Sequence, residues 1–249
     1  YKNAWLKIYD KPIFYFPKFF HPDPSVKRQS GFLMPTMISS SISGNSIKIP
    51  YFAAISGNKD FTTSPRLYFN GDLMVQNEFR QIEKNYENII DFSLKKMKGG
   101  NKSHLFANSK INLDLNNFDY SNLEINAEAT SHDTYLKTEN IKTKRNFSNN
   151  IMNSYLNFDM SKEDLDIAIE FKAYENLSKT NKSDKFEYIY PNFNINKNLT
   201  TSLDSIGNLN YQISGAQRKY ETNKKEQLLI NDFIFSSKSF FSKFGFKSD

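Results

Sequence analysis

The sequence has no cysteine, so neither a disulfide nor a thiolate site is open to it. It has no run of about 18 apolar residues, which excludes a transmembrane helix. Histidine is scarce, and His21, His104 and His132 lie far apart without the ligand spacing that zinc requires, so no metal site is expected. No Gly-x-Ser-x-Gly element occurs despite serine runs such as Ser39-Ser40-Ser41, and no paired carboxylates stand out, so no catalytic residue is singled out. A glycine-rich phosphate loop is also missing, and no cofactor is expected.

Apolar residues are few as well. They make up 38% of the chain, with a mean hydropathy of −0.64. That is little for a large soluble core. It suits a transmembrane β-barrel, where alternate residues face lipid and the others face water. Aromatic residues are abundant, with 23 Phe and 14 Tyr, which fits β-structure and the aromatic girdles of such barrels. Composition alone leaves an ordinary soluble all-β domain equally open. The net charge of +6 is spread along the chain, so no nucleic-acid patch is expected.

Gly31 to Arg80 organises the rest. It reads as four antiparallel strands cut by Ser43-Gly44-Asn45, Gly57-Asn58-Lys59-Asp60 and Asn70-Gly71-Asp72. Asn-Gly between apolar runs marks a hairpin, with positive φ expected at both residues of a type I′ turn. Pro35 and Pro50 fall in consecutive strands at similar distances from the first turn. A proline cannot donate to a ladder, so both are expected to weaken the open end of the first hairpin. Pro65, in the third strand, is expected at a bulge or strand end.

Beyond Arg80 the period is two, not 3.6. Ile90, Phe92 and Leu94 alternate with Asp91, Ser93 and Lys95, and Ile111, Leu113 and Leu115 with Asn112 and Asp114. Leu123, Ile125 and Ala127 alternate with Glu124, Asn126 and Glu128, and Leu156, Phe158 and Met160 with Asn157 and Asp159. Leu165, Ile167, Ile169 and Phe171 alternate with Asp166, Ala168, Glu170 and Lys172. Later strands are expected at Tyr188 to Ile195, Leu209 to Ser214 and Leu228 to Phe235. Ser161 to Asp164 is a tight turn, whereas Lys137 to Asn149 and Asn176 to Lys185 are long and polar. Short turns alternating with long loops are the rhythm of an outer-membrane barrel, here of roughly ten to twelve strands.

Upstream, Trp5 to Ile8 and Ile13 to Phe19 read as short strands, too few to bury a core alone. They are expected to complete a sheet lying before residue 1. His21 to Ser30 then forms a linker outside either sheet, with Lys27 and Arg28 in water or on anionic head groups. The chain opens within a folded pattern, and a piece of a longer protein is expected.

Gly31-Phe32-Leu33-Met34-Pro35, Ile49-Pro50-Tyr51-Phe52, Thr63-Ser64-Pro65-Arg66 and Asn77-Glu78-Phe79-Arg80 together resemble the start of the barrel in the LptD (organic-solvent-tolerance) family of LPS-assembly proteins. Ala4 to Ile8 and Pro12 to Pro17 resemble that family's approach to the barrel, and Asp133-Thr134-Tyr135-Leu136 a further family pattern. The resemblance implies an all-β chain in the cell outer membrane. Residues 1–30 would be the last strands of a periplasmic β-jellyroll plus linker, and 31–249 the N-terminal part of an antiparallel transmembrane barrel. It implies a lateral gate at Pro35 and Pro50, through which lipopolysaccharide enters the outer-membrane lipid. It also implies an LptE-like lipoprotein plug and an LptA-like periplasmic bridge as partners, and no enzymatic activity. Two other readings stay open: another outer-membrane barrel, porin-like or a lipase, and a soluble β-sandwich interaction domain.

Overall fold

Alternating side chains become strand almost throughout. The computed structural model describes residues 2–8, 10–18, 28–141, 150–179, 184–202, 204–238, 240–241 and 247–248. These fall into two compact units, residues 1–109 with 127–149, and residues 110–126 with 150–249.

The chain opens with β1 (Lys2–Ile8) and β2 (Lys11–Lys18), a separate hairpin. Trp5 and Tyr15 stack across it with ring centroids 4.7 Å apart, and both are exposed. Next come β3 (Gly31–Phe32), β4 (Thr36–Ile38), β5 (Ser46–Lys48), β6 (Tyr51–Ser56), β7 (Lys59–Tyr68), β8 (Leu73–Ile82), β9 (Tyr86–Met97), β10 (Gly100–Asn112) and β11 (Tyr120–Thr130). A one-turn helix α1 (Tyr135–Thr138) precedes β12 (Ile151–Lys162), β13 (Leu165–Asn176), β14 (Phe186–Leu199), β15 (Gly207–Tyr220) and β16 (Lys225–Ser237). The short strands β17 (Phe240–Phe241) and β18 (Lys247–Ser248) pair with each other. No described helix is long and apolar enough to cross a membrane.

The fold is all-β and antiparallel. Fourteen strands, β3 to β16, share one sheet, with β16 at one end of the order and β4 at the other. With β3–β4 and β5–β6 each taken as one interrupted strand, the sheet has twelve strands, within the expected ten to twelve. No closed barrel forms among the described residues.

Several expectations need correction. The first two strands of Gly31 to Arg80 are each cut in two, at residues 33–35 and 49–50. The Asn70-Gly71 turn is not type I′, because only Gly71 has positive φ (+91°). The Gly71 amide donates to the Tyr68 carbonyl and the Tyr68 amide to that of Asp72. That is a three-residue loop with glycine in the left-handed position, which needs one positive φ and not two. Strand β10 stops at Asn112, because Asp114 adopts φ +52° and turns Leu113 to Leu115 into loop. The last three strands are longer than their apolar cores, since polar ends extend the ladder. His21 and most of the His21 to Ser30 linker lie outside the described residues. Arg28, at its end, is ion-paired with Asp60 rather than left to water or head groups. The Ser30 hydroxyl accepts from the Ala54 amide.

In the first unit the two faces of the sheet are opposite in character. Phe92, Leu94, Leu105, Leu67 and Phe69 are exposed. The residues between them, Asp91, Ser93, Lys95, His104 and Arg66, are buried, with Tyr68, Met74 and Phe106 among them. A soluble core has the reverse arrangement.

In the second unit register builds rows across the strands. Ile125 pairs with Leu156 and Leu156 with Phe171. Leu123, Phe158, Ile169 and Phe193 form a second apolar row. Asn157, Glu170 and Asn192 form a polar row on the opposite face. Gly215 continues the second apolar row beside Phe193, whose ring lies over it. A Cβ at Gly215 would meet that ring at 2.7 Å, so the absent side chain is what lets the aromatic lie flat.

Candidate functional site

The first hairpin is held weakly for a reason that can be traced atom by atom. Gly31 and Phe32 pair with Phe52 and Tyr51, and Thr36, Met37 and Ile38 pair with Lys48, Ile47 and Ser46. Between these two ladders, residues 33–35 face only residues 49–50. The strand therefore carries one extra residue, a bulge, and Pro35 sits in it. Pro35 and Pro50 thus lie at one level of the hairpin.

Across that gap the Leu33 amide donates to the Pro50 carbonyl at 2.8 Å. In an ordinary antiparallel pair the same two residues exchange a second bond, from residue 50 to the carbonyl of 33. Proline has no N–H to make it. On the other side of the same strand the Ile49 amide donates to the Pro65 carbonyl at 3.0 Å. The return bond is again missing, because residue 65 is proline. Pro65 is therefore neither a bulge nor a strand end. It lies inside β7, in unbroken register with β8 opposite Val75. It removes a ladder bond next to the one lost at Pro50. The second strand is loosened toward both neighbours at one level. Only five positions pair in the first hairpin, against nine between β7 and β8 and ten between β8 and β9.

A second feature lies on the buried face of the same unit. The segment after β11 folds onto that face and buries Tyr135, Leu136, Glu139 and Ile141. The start of the expected Lys137 to Asn149 polar loop is therefore packed, not solvated; its residues 142–149 lie outside the described residues. Glu139 is the pin. Its carboxylate accepts from Lys95 Nζ at 2.9 Å and from the Tyr68 hydroxyl. Its backbone carbonyl accepts from Arg66 Nη1 at 2.8 Å. Arg66 and Lys95 also flank the Tyr68 ring, at 4.7 Å and 4.1 Å from its centroid. Ion pairs this deep gain strength from the low dielectric only when well partnered; the Glu139 carboxylate is, while Arg66 keeps Nη2 without a partner among the described residues.

Tyr135 makes a second tie. Its hydroxyl lies 2.7 Å from Ser93 Oγ, which lies 2.7 Å from His104 Nδ1. His104 Nε2 is 3.0 Å from Asp91 Oδ1, and Gln76 donates to both oxygens of Asp91. Tyr135, Ser93, His104 and Asp91 thus form one continuous chain of buried polar contacts.

Serine, histidine and aspartate are thus brought together, though no sequence pattern linked them. They form a tie and not a nucleophile. The Ser93 hydroxyl is capped by Tyr135 and is 2% exposed. Ser93 and Asp91 sit two apart on β9, in unbroken register with Gln76 and Glu78 of β8, so their own amides belong to the ladder and are not free for an oxyanion. His132 is exposed and its ring lies against Ser131 Oγ.

Pro35 and Pro50 stand out in the sequence as residues without an N–H, whereas the part played by Pro65, Arg66, Lys95 and Glu139 does not. Counting back from the Gly57-Asn58 turn puts Pro65 within one residue of its true level. The signals for the docked segment are the Asp133-Thr134-Tyr135-Leu136 pattern and three apolar residues, Tyr135, Leu136 and Ile141, in polar surroundings.

No family model matches the chain. Individual proteins do. The LPS-assembly protein LptD of Pseudomonas aeruginosa (strain UCBPP-PA14) is 36% identical over 89 residues, which are 36% of this chain and 10% of that protein. LptD of Psychrobacter cryohalolentis is 39% identical over 84 residues, 34% of this chain and 8% of its own length. LptD of Chromobacterium violaceum is 39% identical over 88 residues, 35% of this chain and 11% of its own. Over about a third of its length the chain is 36–39% identical to these LptD proteins. The aligned stretch spans about a tenth of the length of these LptD relatives.

Proposed function

We propose that this chain supplies the first strands of an outer-membrane LptD barrel that inserts lipopolysaccharide into the outer leaflet. The observation that carries the reading is the inverted polarity of the first unit, with Phe92, Leu94 and Leu105 outside and Asp91, Ser93 and His104 buried. A wall between lipid and an aqueous lumen needs that arrangement. The LptD likeness supplies the cargo.

In this reading residues 31–249 are barrel wall, and the β1–β2 hairpin closes a periplasmic jellyroll. The exposed Trp5 and Tyr15 await the rest of that sheet. An LptE-like plug and an LptA-like bridge complete the path, and the chain carries no enzymatic step. The first hairpin is the lateral gate. Sugars travel past the polar face while acyl chains leave sideways where Pro35 and Pro50 thin the ladder. At about 0.5–1.5 kcal/mol per ladder bond, parting five positions costs roughly 2–7 kcal/mol and parting nine roughly 4–13. The first hairpin is therefore cheaper to open than either of the next two full ladders, β7–β8 and β8–β9.

Depleting the full-length protein in its own cells, with surface lipopolysaccharide scored by impermeant labelling, tests the reading. Labelling should fall as the protein disappears. Undiminished delivery to the surface in depleted cells would overturn it.

A further inference from the structure

A cavity of about 290 Å³ opens beside the first hairpin, between Thr36, Ile38 and Lys48 on one side and Arg66, Glu139 and Ile141 on the other. Arg66 is 2% exposed, yet its Nη2 has no hydrogen-bond partner among the described residues. Its Nε is spent on Ser46 Oγ at 2.8 Å and its Nη1 on the Glu139 carbonyl. A buried N–H without an acceptor is costly, more so on a charged group. Lys48, half-buried on the same wall, has no ion pair among the described residues.

The acids nearby are already engaged. The Glu139 carboxylate is held by Lys95 and Tyr68, and lies 3.9 Å from Arg66 Nη1. Asp72 lies 3.6 Å from Lys95, Asp91 is held by Gln76 and His104, and Glu78 is 3.3 Å from Arg80. Gln76, also on the wall, has its amide N–H directed to Asp91. Arg66, Lys95 and Lys48 thus face three carboxylates, Glu139, Asp72 and Asp91, the last held by Gln76 and His104, so what the wall leaves unspent is donor capacity, at Arg66 Nη2 and Lys48 Nζ.

We propose that this cavity is an anion site for a phosphate group, with Arg66 Nη2 and Lys48 Nζ as its donors. Arginine supplies a directional fork and lysine a mobile point charge, a pairing suited to a phosphate monoester. The cavity is close to the lower size limit of small-molecule pockets, enough for a phosphate with part of a sugar. This inference rests on the reading of the first hairpin as the exit for a glycolipid. Its phosphate would be held at the level where the ladder is thinnest, while the acyl chains part the strands.

The test uses purified full-length protein and its Lys48→Gln and Arg66→Gln variants. Equilibrium binding is measured for native lipopolysaccharide, for the same lipid stripped of its phosphates, and for inorganic phosphate as competitor. Lys48→Gln is the informative variant, because that side chain holds no partner among the described residues and its loss leaves the fold intact. Native lipid should bind each variant about tenfold or more weakly, and the stripped lipid should bind all three proteins alike. Competition by inorganic phosphate assigns the site to free phosphate. Failure to compete, with the phosphate dependence kept, assigns it to the head group. Unchanged affinity in both variants, or an equal loss for stripped lipid, overturns the anion site. Because binding is scored on purified protein, that result leaves the export reading to be judged by depletion alone.

Discussion

Replacing Pro50 with alanine is the most direct perturbation of the proposed gate. The register gives the new amide a defined acceptor. Residue 50 already accepts from Leu33, so its restored N–H points at the Leu33 carbonyl. One ladder bond contributes about 0.5–1.5 kcal/mol. If parting the hairpin limits export, the rate falls about two- to tenfold. Pro65→Ala restores the matching bond to the Ile49 carbonyl, but on the ladder between the second strand and β7, so it should firm that strand without raising the cost of parting the first hairpin, and the pair should slow export about as much as Pro50→Ala alone. Pro35→Ala should do less, because Pro35 sits in the bulge and has no ladder acceptor fixed by register. The assay is the rate at which new lipopolysaccharide reaches the surface of cells carrying the full-length variants, with sensitivity to large hydrophobic antibiotics alongside. Normal export from a normally assembled Pro50→Ala, Pro65→Ala double variant would refute the argument. The prolines would then be strand punctuation and nothing more.

Three further outcomes follow from the geometry. Glu139→Gln leaves buried Lys95 and Arg66 without their carboxylate and should cost about 3–5 kcal/mol, read as an earlier denaturant midpoint; an unchanged midpoint would mean that the docked segment is not pinned by charge. Gly215→Ala drives a methyl group into the Phe193 ring and should destabilise the second unit by about 1–3 kcal/mol, and pairing it with Phe193→Leu should recover most of the loss; no recovery would put the strain elsewhere. Purified protein should hydrolyse lipid esters no faster than its Ser93→Ala variant, and a Ser93-dependent rate would revive the hydrolase reading.

Much of this was legible from side-chain period alone. Asp91, Ser93 and Lys95 against Phe92 and Leu94 announced which residues share a face, because a strand leaves no other choice. Pro35 and Pro50 were visible because a missing N–H is a property of the residue itself. The Glu139 pin was not, since it joins residues 44 and 71 positions away that meet only after β7 and β9 are in one sheet. The Ser93–His104–Asp91 chain was hidden for the same reason, being set by the register of neighbouring strands. The end of β10 was misread because a single positive φ at Asp114 overrides an unbroken alternation.

The central claim is that the apolar face of this sheet meets lipid. Single cysteines at Phe92, Leu94, Ile169 and Phe171, spin-labelled in the full-length protein in bilayers, test it against cysteines at Asp166 and Lys172. The account predicts that the first four labels are relaxed by lipid-soluble oxygen and shielded from a water-soluble nickel chelate, with the last two reversed. Free access of the chelate to Phe92 and Leu94 would contradict it.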